Sequence, residues 1–291
     1  MLGKRRVIKF GKSGNVILRM YLVFDIGGTK TRIGISSDGQ ALIETKIVPT
    51  PADFETGIQT IKQVADDLSH GQTIKKITGG IAGPLNQDKS MLIKSPHISS
   101  WIGKPLKERL ENIFNATTFL ENDAILAGLG EACFGVGKNY KIVAYLTIST
   151  GVGGAKIVEG KVDQNTQGFE PGHQIIKPDG IPCKCGGIGH LETLVGGSYI
   201  QQRYGLKAEE ITDPAVWDEI VKFLAIGLHN TIVHWSPEVV ILGGSVSQSI
   251  PLDKLLEDLT VLSTIFPRLP KVSKGSLGDQ AGLLGALKLL R

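Results

Sequence analysis

His173, Cys183, Cys185 and His190 are separated by nine, one and four residues. Two thiolates and two imidazoles make a tetrahedral donor set for Zn2+, closed and therefore structural. The Cys185-Gly-Gly-Ile-Gly189 stretch is able to wrap an ion tightly. The alternative is a pair of buried free thiols with two surface imidazoles. A Cys183–Cys185 disulfide is strained at one-residue spacing. Cys133 sits in an apolar stretch and reads as core. His229 and His234 do not share a helix face and read as structural, and His70 reads as a solvated helix end.

Two glycine turns carry a second kind of chemistry. The first is Asp25-Ile-Gly27-Gly28-Thr29-Lys30. Glycine lets backbone N–H groups approach an anion, Thr29 adds a hydroxyl and Lys30 a cation, which suits nucleotide phosphates. Asp25, at the strand end, is placed to orient water on Mg2+. Taken alone, the turn reads first as a type I′ or II′ hairpin that uses Gly-Gly for positive φ. It is not a Walker A loop, because the Gly-x4-Gly-Lys-Ser/Thr spacing is absent. The second turn, Thr147-Ile-Ser-Thr150-Gly151-Val-Gly153-Gly154, adds the hydroxyls of Ser149 and Thr150. Gly243-Gly244-Ser245 follows a buried strand and suits either a nucleotide base or ribose, or a plain strand-to-helix turn.

Glu121-Asn122-Asp123 lies between a strand and a helix. Asp123 is a candidate general base, and Asn122 a hydrogen-bonding partner for a polar ligand. The same residues read as a helix N-cap.

The elements that must position these groups alternate along the chain. Strands are predicted at Leu22–Ile26, Arg32–Ser36, Leu42–Val48, Ile77–Ile81 and Thr117–Leu120, then at Ile142–Ile148, Ala155–Val158 and Val239–Leu242. Helices are predicted at Phe54–Leu68, Lys104–Phe114, Ala124–Phe134, Trp217–Trp235, Leu252–Leu262 and Ala281–Leu290. The pattern from Val23 to Gly39 (strand, glycine turn, strand, acid-glycine turn) recurs from Ala144 to Gly160. Such a repeat predicts two similar α/β halves, each presenting a glycine turn to the cleft between them.

At 291 residues the chain has room for two domains. Glycine is 37 of 291, about 13% against a usual ~7%, which predicts many tight turns. The net charge of +4 comes from the start of the chain: residues 1–19 hold six cations and no acid, and the other 272 hold 26 cations against 28 anions. That balance argues against a nucleic-acid partner. Residues 1–19 are read as a basic extension outside the functional core: a flexible arm, an extra strand or a mis-assigned start. The longest run free of Asp, Glu, Lys and Arg, Phe223 to Pro237, is 15 residues, short of a membrane span. Three cysteines are too few for a disulfide framework, and the expected location is a reducing cytoplasm.

Taken together, these motifs resemble the ROK family of sugar kinases and repressors, within the sugar-kinase, Hsp70 and actin superfamily. Asp25–Lys30 resembles the family's first phosphate motif, Glu121-Asn-Asp123 its catalytic motif, and Glu170-Pro-Gly-His173 its ExGH sugar motif. Cys183-Lys-Cys185-Gly-Gly-Ile-Gly-His190-Leu-Glu192 resembles its CxCGxxGCxE zinc motif, with His190 in place of the third cysteine. Ala281-Gly-Leu-Leu-Gly-Ala286 resembles its C-terminal helix. Ser95-Pro-His97-Ile resembles a stretch that usually carries Asn where His97 stands.

The resemblance implies an α/β fold of two RNase H-like domains with an active site in the cleft between them. The implied domains are 20–122 with 279–291, and 123–278 carrying a zinc loop at 168–192. It implies ATP-dependent phosphorylation of a hexose, foremost at glucose O6, with Mg2+ in catalysis and a structural Zn2+. Asp123 would take the proton of the attacking hydroxyl. Gly83, Asn122, Asp123, Glu170, His173 and Glu192 would hold the sugar, His173 also binding zinc. Asp25, Gly27, Gly28, Thr29, Lys30, Thr150, Gly151, Gly153, Gly243 and Gly244 would hold ATP. A homodimer or homotetramer is implied, with no membrane or nucleic-acid partner. Other readings are an N-acetylglucosamine, N-acetylmannosamine or fructose kinase, a sugar-responsive regulator, an ATPase module without sugar chemistry, and a zinc module for nucleic acid.

Overall fold

The computed structural model describes residues 20–95 and 98–291. The basic extension 1–19 and the pair Pro96 and His97 lie outside the described residues.

Met20–Ile26 (β1) is apolar on both faces, which suits a central strand. Lys30–Ser36 (β2) pairs with it antiparallel, and Glu44–Pro49 (β3) extends that edge. On the other side Ile74–Ile81 (β4) and Thr117–Asn122 (β5) add in parallel. The sheet order is β3-β2-β1-β4-β5. Ile142–Ile148 (β6), Val152–Val158 (β7), Lys161–Val162 (β8), Val239–Gly243 (β9) and Lys271–Lys274 (β10) form the second sheet. Its order, β8-β7-β6-β9-β10, repeats the first strand for strand. The sequence repeat is thus a duplicated topology.

Helices cover both faces of each sheet. Phe54–Ser69 (α1) is capped by Asp53, which accepts the Thr56 N–H at 2.8 Å, and ends at His70 in the left-handed region. It turns Phe54, Ile58, Ile61 and Ala65 onto the first sheet, with Leu106–Phe114 (α2) beside it. Pro214–Trp235 (α6) and Leu252–Leu262 (α7) cover one face of the second sheet. Asp123–Phe134 (α3) and Ala281–Leu289 (α8) lie between the sheets. Ile125 and Leu129 of α3 pack with Val143, Tyr145 and Ile241, whereas Leu126 packs with Val23 and with Leu283 of α8. Each such buried side chain contributes about 1.5–3 kcal/mol, so α3 holds the two halves together. The helices cross closely because Gly130 and Gly285 lack side chains. A Cβ at either would overlap a carbonyl oxygen of the other helix, Ala281 or Leu126.

Several boundaries differ from the sequence reading. The third strand starts at Glu44, not Leu42, because Asp38 folds the preceding turn, accepting the N–H groups of Gln40 (2.7 Å) and Ala41 (3.1 Å). α2 starts after Pro105, which cannot sit inside a helix. β7 takes in two of the three glycines of the second turn, Gly153 pairing with Thr147 and Gly154 with Leu146. Leu191–Val195 (α4), Gly197–Tyr204 (α5), β8 and β10 had no sequence signal strong enough to find.

Candidate active site

β5 runs into α3 without a loop. Asn122 caps the helix, its Oδ1 accepting the N–H groups of Ala124 (2.9 Å) and Ile125 (3.2 Å). Its Nδ2 donates to the carbonyl of Gly83 at 3.2 Å. The cap reading is therefore realised in full, and it draws Gly83 into the site. Gly83 has φ +132°, and a side chain there would overlap the Lys94 carbonyl.

Asp123 is the first helical residue. Burial pushes its carboxyl up to about 6, against hydrogen bonds from the N–H groups of Ala124 and of Asp123 itself and the pull of Arg32. Asp25, at the end of β1, approaches from the first sheet. Between them stands Gly80, where a Cβ would lie 3.3 Å from Asp123 Cα and 3.4 Å from Asp25 Oδ1. Burial, then the charge of Asp123, pushes the Asp25 carboxyl up to about 7; Arg32 opposes this and Asp279 adds to it. Asp25 Oδ1 is buried with no hydrogen-bond partner among the described residues. An orphaned carboxylate oxygen beside a second acid suits the hydration shell of Mg2+. Arg32 faces Asp25 across the β1–β2 ladder. Its Nη1 is 3.5 Å from Asp25 Oδ2, and its Nη2 is bonded to Asp279. The sequence reading counted Lys30 as the cation of this hairpin and passed over Arg32. Strand alternation was the available signal, since Arg32 is two residues from Lys30 on the same face.

The first glycine turn is closed by the Gly27 N–H on the Lys30 carbonyl (3.0 Å). Thr50 braces it, its hydroxyl on the Gly27 carbonyl at 2.7 Å and its N–H on that of Thr29 at 3.0 Å. The hairpin is present, β2 pairing antiparallel with β1 across this turn, but neither Gly27 nor Gly28 has positive φ, which corrects that part of the sequence reading. Gly27 provides room instead: a Cβ would lie 3.1 Å from the Lys30 carbonyl oxygen. Thr29 and Lys30 are exposed.

The second turn lies against the same helix end. A Cβ on Gly153 would be 3.0 Å from that of Ala124. The carbonyls of Ser149 and Thr150 accept N–H groups of Gly197 (2.7 Å) and Ser198 (3.0 Å) at the start of α5. Glu192, in α4, fills the space beside Gly151 and accepts the Val152 N–H at 2.9 Å. Gly244, at φ +86°, turns the chain beside Ile148. Gly243 is buried, with the Tyr145 hydroxyl in its side-chain space.

The third part is the donor cluster. His173 Nδ1 lies 3.2 Å from His190 Nδ1 and 3.9 Å from Cys183 Sγ, and Cys185 Sγ lies 3.4 Å from His190 Nδ1. All four donor atoms are within 4.8 Å of one another. A tetrahedral Zn2+ at ordinary bond lengths sets edges of about 3.3 Å between nitrogens and about 3.5–3.8 Å where sulfur takes part. The donor set fits that ion. The thiols are free, not paired in a disulfide. Burial and the neighbouring His173 hold His190 below the usual imidazole value, in the neutral form a ligand needs. The knuckle closes through the Cys183 N–H on the Gly187 carbonyl (2.8 Å) and the Gly186 N–H on the Cys183 carbonyl (2.9 Å). Lys94 reaches across from the loop after β4 and donates to the Cys185 carbonyl at 3.0 Å.

On the cleft side, His173 Nε2 is 3.9 Å from Glu170 Oε2. Burial, with the charges of Asp123 and Glu192, pushes the Glu170 carboxyl up to about 7. Glu170, Asn122, Lys89 and Glu121 also line a small cavity beside the helix end, where Lys89 pairs with the buried Glu121.

The duplicated sheets and crossing helices define a two-domain α/β fold shared with solved sugar kinases. The chain belongs to the ROK family, whose sequence profile matches residues 21–291. It is 28% identical to a glucokinase of Streptomyces coelicolor, over 92% of this chain and 96% of that protein. It is also 28% identical to an N-acetyl-D-glucosamine kinase of Yersinia pseudotuberculosis, over 92% and 97%. Among solved structures it is similar to a ROK hexokinase from Thermus thermophilus, with 30% identity, a TM-score of 0.83, and coverage of 92% of this chain and 97% of that one. A ROK glucokinase from Streptomyces griseus, solved with glucose and AMPPNP, is 26% identical with a TM-score of 0.79, over 93% and 98%. No helix among the described residues is long and apolar enough to cross a membrane.

Proposed function

We propose that this chain is an ATP-dependent hexose kinase that moves the γ-phosphoryl group of ATP to a sugar hydroxyl, foremost glucose O6. The observation that carries the reading is the position of Asp123. It is the first residue of α3, with Asp25 of the first glycine turn close on one side, Gly153 of the second turn against the neighbouring Ala124, and Glu170 near enough to feel its charge. A carboxyl held near 6 accepts a proton at neutral pH and is placed to take it from the attacking hydroxyl. Asn122, Glu170, His173 and Glu192, with the Gly83 backbone, hold the other hydroxyls.

Phosphoryl transfer needs positioning and charge neutralisation more than covalent chemistry. The turn of Gly27, Gly28, Thr29 and Lys30 faces the nucleotide from one half, and Thr150, Gly151, Gly153 and Gly244 from the other. Gly243 supports this second turn by packing on Tyr145. Asp25 would hold Mg2+, which when bound neutralises charge on the phosphates. His173, Cys183, Cys185 and His190 would hold Zn2+, which when bound fixes the His173 ring with Nε2 turned to the cleft.

The domain division that fits is 20–122 with 279–291 against 123–278. It is supported by the chain crossing to the second sheet at Asn122–Asp123 and returning between β10 and α8. The kinases among its relatives act on glucose and on N-acetylglucosamine, so both belong in the test. ADP release from Mg-ATP is measured against glucose, mannose, fructose, N-acetylglucosamine and N-acetylmannosamine. Release that depends on one of these sugars supports the reading and names the acceptor. Release that no sugar changes overturns it.

A further inference from the structure

Lys94 touches both halves of the molecule. Its backbone packs on Gly83, where a Cβ would lie 2.3 Å from the Lys94 carbonyl oxygen. The Gly83 carbonyl accepts the Asn122 side-chain amide at 3.2 Å, and Asn122 caps the helix that begins with Asp123. The Lys94 ammonium donates to the Cys185 carbonyl of the donor loop at 3.0 Å. One residue thus joins the cap of α3 to the knuckle.

The chain from Gly83 to Lys94 is a built arm. It folds back on itself through the Asn86 N–H on the Met91 carbonyl (3.1 Å), the Ile93 N–H on the Pro84 carbonyl (3.0 Å) and the pairing of Leu85 with Leu92. The Asn86 side chain closes the tip by accepting the N–H groups of Ser90 (2.8 Å) and Met91 (3.1 Å). Lys89, in the tip, pairs with Glu121, which is only 6% exposed and accepts the Asn122 N–H at 3.0 Å. Pro84, Leu85 and Gln87 of the arm line the small cavity that Asn122 and Glu170 also line. The arm is therefore a wall of the cleft, fixed to the end of α3 at Glu121 and Asn122 and tied to the second half by Lys94.

We propose that Lys94 is a positioning residue whose ammonium latches this arm to the knuckle and so holds the sugar cleft closed over its substrate. This deepens the kinase reading and rests on it. Lys94 is exposed, and a single bond from a flexible ammonium in contact with water is weak and reversible. A cleft that must admit a sugar and release its product needs a latch of that kind. The acceptor is a main-chain carbonyl, so the fold of the donor loop decides whether the latch can form.

The test is Lys94→Met, read by titration with glucose and N-acetylglucosamine, by calorimetric titration of Mg-AMPPNP without sugar, and by amide hydrogen exchange of the sugar-free protein. Sugar affinity is expected to fall about 3–10-fold, as for one charge-assisted bond open to water, with AMPPNP affinity within about twofold. Peptides covering residues 84–94 are expected to exchange about 3–10-fold faster, with Tm within about 2 °C of the parent protein. Lys94→Arg, which keeps a donor of similar reach, is expected to restore both sugar affinity and exchange. Sugar affinity and exchange both within about twofold of the parent in Lys94→Met overturn the assignment. Equal losses of sugar and AMPPNP affinity with a lower Tm overturn it as well, because they describe a general loss of structure, and so does a Lys94→Arg that behaves as Lys94→Met. Hydrogen exchange needs no sugar. A parent protein that binds no sugar defeats the hexose kinase reading, and the latch is then decided by exchange alone, so the two failures are distinguishable.

Discussion

The Nδ1 atoms of His173 and His190 lie 3.2 Å apart, with the ring planes at 72°. Two imidazolium rings repel at that distance, whereas two ligands of one ion occupy it naturally. The other nitrogen of His173 faces Glu170 at 3.9 Å. One side chain therefore belongs both to the donor cluster and to the cleft, and the stability of the first bears on the chemistry of the second.

The protein is expected to carry one zinc per chain by elemental analysis. Cys185→Ser and strong chelators are expected to remove it and to lower Tm by about 5 °C or more, at roughly 2–4 °C per kcal/mol for a chain of this size. Sugar affinity should fall with the zinc content, because the His173 ring loses its anchor. A metal-free preparation with the same Tm and the same sugar affinity would contradict this.

The acid limb of the pH profile follows from Asp123. A base must be ionised to act, and its carboxyl lies near 6, so kcat is expected to fall about tenfold per pH unit below that value. Stability runs the opposite way. Asp25 and Asp123 are both raised above 3.8 in the folded protein, so folding takes up protons between about pH 4 and 7. The ligand-free protein should gain stability as pH falls from 8 towards 5.5, and Asp25→Asn should flatten that slope. A Tm that does not change over this range in the parent protein would count against the two buried acids.

The α3–α8 crossing depends on two missing side chains. Gly285→Ala would drive a methyl into the Leu126 carbonyl, at a cost of about 1–3 kcal/mol for overpacking. Denaturant titration should show a lower midpoint with little change in slope. A midpoint equal to the parent's would show that the helices separate freely.

Much of this architecture was readable before any coordinates. The glycine hairpins stood out because apolar strands flank them, and their recurrence predicted two similar halves, though the order of strands in each sheet came from the structure. Asn122 marked the start of α3 through its capping chemistry, and the four donors were evident from residue type. What escaped notice depends on distant partners. Arg32 and Asp279 are 247 residues apart and meet only because α8 returns to the first sheet. α4 and α5 are short and are placed by the donor loop and the second turn, and the Lys-Val-Ser-Lys pattern of β10 carries little strand signal of its own. The Gly27-Gly28 pair misled because glycine serves both positive φ and close approach, and sequence does not tell the two apart.

The most direct test of the account is the turnover of Asp123→Asn, which keeps the hydrogen bond to the Ala124 N–H and removes the base. With the accepted sugar and saturating Mg-ATP, kcat is expected to fall by about 10²–10⁴-fold, while the sugar dissociation constant stays within about threefold of the parent value. A variant that keeps kcat within about tenfold would contradict the assignment of Asp123 as the base, and with it the mechanism built around the end of α3.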